Sequence, residues 1–169
     1  VDTAGNEEAP KTAEFETLLR FEETDPLVYT AGAWGTTNHA NASGGAYITT
    51  NASGAGVYTV FNGTRADWIT SRASNYGIAK VTVDDGTPEF VNLYGSTAYQ
   101  TKVWSSGVLA NGTHTLAIEW TGTKDALSSG TYVSLDALDI SGSLVVDTVA
   151  PSTTSDIVED WQNWPVTVT

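Results

Sequence analysis

From Phe21 onward, apolar and polar side chains alternate with a period of two in short runs, which predicts strands rather than helices. Val57, Thr59 and Phe61 share one face with Tyr58 and Val60 on the other, and Asn62-Gly63 then reads as a turn. Ala79, Val81 and Val83 line one face against Lys80 and Thr82. Asp85-Gly86 follows as a tight-turn signal, because both central positions of a type I′ turn need positive φ. Val91 and Leu93 resume the pattern. Asn111-Gly112 precedes a strand in which Leu116, Ile118 and Trp120 are in phase, and the last clear strand is Tyr132 to Ile140. The only helical pattern, Ala13 to Arg20, is too short to alter the fold class. About eight short strands broken by Gly, Asn, Ser and Asp predict an all-β, jelly-roll-like antiparallel β-sandwich.

The 169 residues suffice for one self-sufficient core. With no cysteine, the chain has no disulfide framework, zinc-thiolate site or thiol nucleophile, a composition that suits an extracellular setting. The net charge of −13 opposes phosphate backbones and anionic lipid, so nucleic acid and membrane insertion are not expected. Charge is uneven: residues 1–25 hold eight carboxylates and residues 26–66 none. The chain begins in acidic, polar sequence without a signal peptide, so an export signal is expected upstream.

The ends differ from the middle. Residues 1–12, beginning Val1-Asp-Thr-Ala-Gly-Asn6, resemble the closing strand of the Ig-like repeats of bacterial surface proteins. Residues 147–169, with Pro151 and Trp164-Pro165-Val-Thr-Val168, resemble the opening strand of another. The resemblance implies a module at residues 13–146 between two such repeats of the same chain; the alternative is that both ends are edge strands of the sandwich.

The middle carries an ordered series of short signatures. These are Asp25-Pro26 with Tyr29-Thr-Ala-Gly-Ala-Trp34, Phe61-Asn-Gly-Thr64 before Asp67-Trp68-Ile69, and Asn75-Tyr-Gly-Ile-Ala-Lys-Val-Thr-Val-Asp84. Tyr99-Gln100, Asn111-Gly-Thr-His-Thr-Leu116, Thr121-Gly-Thr-Lys124 and Tyr132-Val-Ser-Leu-Asp-Ala-Leu-Asp139 follow. In this order and spacing they resemble the galactose-binding-like β-sandwich modules of secreted bacterial glycosidases, cell-wall enzymes and adhesins, and more distantly family 6 and family 35 carbohydrate-binding modules. The resemblance implies a non-catalytic, extracellular or cell-surface module that anchors a larger protein to a cell-wall, host or plant glycan. It also implies a structural calcium ion. A spacer or adhesive element of a surface stalk, with no small ligand, is the competing reading.

Catalysis finds little support: the chain has two histidines, no Gly-x-Ser-x-Gly elbow, no His-Glu-x-x-His and no phosphate-cradling loop. Sugar binding needs flat aromatic faces and planar hydrogen-bonding groups. Trp34, Tyr76, Tyr99 and Trp104 lie in or beside Gly-, Ser- and Asn-rich loops, and Arg72 and Asn75 flank a polar loop. These six are the candidate carbohydrate-binding residues. Trp34 either exposes its ring or folds back over the sandwich edge, and Arg72 and Asn75 either bind sugar or brace the loop. Trp68 and Trp120 read as core. For calcium, the candidate ligands are Glu23 and Asp25 on the first strand with Asp136 and Asp139 on the last. Alternation puts Glu23 and Asp25 on one face, whereas Asp136 and Asp139 need a bulge to converge. Solvated edge carboxylates are the other reading.

Overall fold

The alternating runs become eleven strands and one short 3₁₀ turn in the computed structural model, which describes residues 17–148. The expectations for the Ig-like flanks fall outside the described residues, except at Asp147 and Thr148. The strands are β1 (Leu19–Glu22), β2 (Tyr29–Ala31), β3 (Gly35–Asn38), β4 (Ala46–Thr50), β5 (Gly56–Arg72) and β6 (Ile78–Val83). They continue with β7 (Glu89–Asn92), β8 (Ala98–Ser105), β9 (Gly112–Thr123), β10 (Val133–Leu135) and β11 (Ala137–Val145). All pairings between strands are antiparallel, and the architecture is an all-β sandwich. Leu19 and Arg20, at the end of the short helical pattern, belong to β1 and pair with Ile140 and Asp139.

Strand β5 organises the fold. Along one edge it pairs with β2 through residues 56–58 and with β11 through 60–69; along the other it pairs with β9 through 56–63 and with β8 through 67–72. One 17-residue strand therefore serves both halves of the sandwich. From its first half the sheet continues β9–β6–β7. A separate sheet, β10–β4–β3, contributes Ile48, Val133 and Leu135 to the same core as Val57, Phe61, Trp68, Val81, Leu116, Ile118 and Leu138. Rows of cross-strand neighbours such as Val57–Ile118–Val81 stack the apolar faces the alternation predicts.

Two turn expectations are corrected. Asn62-Gly63 does not reverse the chain; it lies inside β5 at a bulge, where Arg65 opposes Ser141 and Gly63 opposes Gly142, so that Thr64 is the extra residue of β5. Glycine is required there by close approach: a Cβ on Gly63 would stand 1.9 Å from the Ser141 carbonyl oxygen, and one on Gly142 would stand 2.0 Å from the Asn62 carbonyl oxygen. At the β6–β7 turn the positive-φ pair is Asp84 and Asp85 (φ 51° and 54°), one residue earlier than expected, and Gly86 N donates to Val83 O. The Asp84 carboxylate offsets this conformation by accepting from Thr115 N (2.8 Å) and meeting His114 Nδ1 (2.6 Å). His114 Nε2 faces Ala110 O at 2.8 Å. Burial lowers the His114 pKa, but the Asp84 and Ala110 bonds and the Asp84 charge outweigh it and raise it overall.

The bulge contact is testable. Gly63→Ala is expected to cost about 2–3 kcal/mol in denaturant unfolding, since the clash is with backbone. Gly112→Ala, with nothing within 4 Å of its Cβ, should change stability by less than about 0.5 kcal/mol. Equal effects would contradict the close-approach account.

Candidate functional site

The chain leaves the β9–β6–β7 sheet at Asn92 and joins β5 as β8 only a few residues later. Leu93, fully buried, anchors this crossing, and its N–H donates to Gly77 O. Between the two strands lies a groove of about 430 Å³. Residues Glu89–Asn92 of β7 line one side, Thr101–Trp104 of β8 line the other, and Arg72 at the end of β5 completes it. Phe90 is 67% exposed; Trp104, at 8%, is mostly enclosed.

The polar groups of the groove are held by neighbours. Arg72 Nη2 donates to Tyr94 O (2.7 Å), and its guanidinium carbon would lie 3.3 Å from a Cβ on Gly95, so that glycine leaves room for it. Tyr94 N donates to Asn92 Oδ1, and Asn92 Nδ2 donates to Asp125 Oδ2, both at 3.0 Å. Lys102 Nζ lies 3.3 Å from Asp67, which also receives two hydrogen bonds from Arg65. Burial raises the Asp67 pKa, but bonds from Arg65, Ser105 and Lys102 outweigh it and keep the carboxyl below its ordinary value. Arg72 Nε and Trp104 Nε1 are buried donors with no hydrogen-bond partner. Aromatic rings beside a guanidinium, an ammonium, an amide and a carboxylate offer both the apolar faces and the hydrogen-bonding groups that a sugar ring requires.

Of the six candidate residues, the groove brings together Arg72 and Trp104. Tyr76 is in the core at 6% exposure; its hydroxyl meets Ser71 Oγ at 3.0 Å, so its ring offers no open face. Asn75 sits in the neighbouring turn, where its carbonyl accepts from Tyr132 N. Trp34 folds back, donating Nε1–H to Ala31 O (2.9 Å) and packing on the core. Tyr99 stacks on His39, with centroids 4.1 Å apart, and tilts against Tyr47. Sequence reasoning missed Phe90, Glu89, Asn92 and Lys102. The available signal was Phe90 itself, an aromatic out of phase with the apolar Val91 and Leu93.

The acidic residues converge differently from expectation. Glu22, Glu23 and Asp136 bring carboxylate oxygens within 4.8 Å of one another. Strand β1 ends at Glu22, so alternation no longer separates it from Glu23. Asp136 lies where the chain passes from β10 in one sheet to β11 in the other, and it needs no bulge. Asp25 stands apart, its carboxylate capping the next turn through Leu27 N (2.9 Å). Asp139 is committed to Arg20 by two bonds of 2.7 and 2.8 Å. Ser43 ties the cluster together: its N–H donates to Asp136 Oδ1 (2.9 Å) and its hydroxyl to Glu22 Oε1 (2.8 Å). Burial raises the pKa of Glu23 and of Asp136, and neighbouring carboxylates add to both. Glu22 Oε2 is buried without a hydrogen-bond partner. Hard oxygens at a separation a single calcium ion can span, one of them unsatisfied, fit a hard divalent cation.

No family model matches the chain. The A type blood α-D-galactosamine galactosaminidase of Flavonifractor plautii is 31% identical over 104 residues, 61% of this chain. The match spans only 10% of that enzyme's length. Among solved structures, a family two carbohydrate esterase from Cellvibrio japonicus superposes with a TM-score of 0.54 at 19% identity, over 80% of this chain and 37% of that one. A Paenibacillus xanthan lyase gives 0.51 at 23%, over 75% and 13%. The Podospora anserina GH26-CBM35 β-(1,4)-mannanase gives 0.50 at 17%, over 83% and 29%. At these identities the likeness to the solved structures shows the fold, a β-sandwich that recurs within carbohydrate-active proteins.

Proposed function

We propose that this chain is a non-catalytic carbohydrate-binding module of a larger secreted or cell-surface bacterial protein, which it anchors to a glycan. The observation that carries the reading is the groove between β7 and β8, where Phe90 and Trp104 stand with Arg72, Glu89, Asn92 and Lys102. An aromatic exposed beside a held guanidinium suits a pyranose, whose apolar face stacks while its hydroxyls take planar hydrogen bonds. The partial coverage of the galactosaminidase supports it, since the matched segment is a small part of a long enzyme.

Calcium belongs to the same reading. Glu22, Glu23 and Asp136 would hold the ion, whose positive charge would tie the end of β1, the start of β11 and the Ser43 turn together. It is assigned a structural role, apart from the groove.

A glycan array of the full chain tests the assignment. Binding to a defined glycan is expected, weakened about five- to tenfold by Phe90→Ala and at least as much by Arg72→Lys, since a point charge does not replace a fork. Binding that neither substitution affects would place the site elsewhere, and no binding at millimolar glycan would favour the stalk-spacer reading.

Calcium is expected to raise the melting temperature by several degrees at pH 7, with chelator reversing the gain. Glu22→Gln and Asp136→Asn should abolish the shift, and Asp25→Asn should preserve it. Identical melting with calcium and with chelator would contradict the cation site.

A further inference from the structure

Thr101, Lys102, Val103 and Trp104 of β8 all line the groove, and on either side of Thr101–Lys102 the register against β5 is interrupted. Trp104 opposes Trp68 and Lys102 opposes Ile69, so Val103 is an extra residue. Thr101 opposes Thr70 and Ala98 opposes Arg72, so Tyr99 and Gln100 together oppose Ser71. Two bulges thus bracket Thr101 and Lys102, and bulges re-aim the side chains beside them.

The second bulge is held from outside the strand. Gln100 has φ +47°, a left-handed conformation that a residue with a Cβ adopts at a cost and keeps only where its surroundings impose it. Its side-chain oxygen accepts from Arg20 Nη1 (3.0 Å), and its side-chain nitrogen donates to Asn41 O (3.0 Å). Arg20 is itself fixed by its two bonds to Asp139, the residue directly opposite it on β11. Next to Gln100, the Tyr99 ring is stacked on His39. A glutamine is suited to this place because one amide both accepts from the guanidinium and donates to a carbonyl.

We infer that Gln100 is a positioning residue for the groove: its left-handed backbone, which the bonds to Arg20 and Asn41 hold against the cost a Cβ imposes, maintains the bulge that turns the Thr101–Trp104 rim toward the sugar. Removing the extra residue from the ladder shifts the register by one and sends Thr101 and Lys102 to opposite faces from those they now occupy. The inference rests on the carbohydrate-binding reading of the groove and adds a residue that does not touch the ligand.

The test compares Gln100→Val with Gln100→Gly in the full chain. Valine is β-branched and resists positive φ, whereas glycine adopts it freely. On the glycan that the wild type binds, Gln100→Val is expected to lose roughly tenfold in affinity and Gln100→Gly less than about threefold, with melting temperatures of both within a few degrees of the wild type. Cross-strand NOEs between β5 and β8 should show a shifted register in the valine variant alone. Wild-type affinity in Gln100→Val, or a loss in Gln100→Gly as large as in Gln100→Val, would overturn the inference. If the wild type binds no glycan, the reading of the groove fails on that result. The NOEs then judge the left-handed bulge separately, and an unchanged register in Gln100→Val overturns the inference.

Discussion

At Gly63 and Gly142 the backbones of β5 and β11 approach so closely that neither strand can carry a side chain there. The rest of the architecture depends on that contact. It lets the two strands stay paired through a bulge, so that β5 runs on for 17 residues and is shared by both halves of the sandwich. Because β9 takes the first half of one edge of β5 and β8 the second half, the chain after β7 must pass from the far edge of this sheet back to the open part of β5. The groove is the space left by that crossing, and Arg72 reaches it because β5 ends there.

The buried carboxylates fall into two kinds, and the contrast gives the site its logic. Asp67 is nearly inaccessible but has Arg65, Lys102 and Ser105 around it, and its pKa is lowered. Asp136 is equally enclosed, and it shares its surroundings with Glu22 and Glu23; its pKa is raised. Burying an uncompensated charge is costly, so the first group is satisfied by protein, while the second presents oxygens that a cation could satisfy. In a chain with 7 basic against 20 acidic residues, the placement of cations beside some carboxylates and not others carries information. Ser43 joins the acidic cluster to the Arg20–Asp139 pair, since its hydroxyl meets both Glu22 and, at 3.4 Å, Arg20.

Much of the fold was legible because period two survives wherever one face is buried: Ala79 and Val81, or Leu116 and Ile118, are in the core as their spacing requires. The misreadings came where tertiary contacts overrode local signals. Asn62-Gly63 has the composition of a turn, but its glycine is there for a neighbouring backbone. Asp85-Gly86 marked the right hairpin in the wrong register, because Asp84 gains Thr115 and His114 as partners. Tyr76 looked like a loop aromatic but fills the core, while Phe90, on the polar side of its strand, stands open. Strand alternation paired Glu23 with Asp25 and set Glu22 aside. It could not show that β1 stops at Glu22, nor that Arg20 claims Asp139.

The central claim is that sugar is received between β7 and β8. The most direct measurement is a titration of the ¹⁵N-labelled chain with an oligosaccharide selected on an array, following backbone amide and side-chain NMR shifts. The account predicts changes concentrated at residues 89–92 and 101–104 and at Arg72 Nε–H and Trp104 Nε1–H, buried donors of the groove residues that have no partner. Shifts confined to the Trp34 or Tyr99–His39 surfaces, with the groove unchanged, would contradict it.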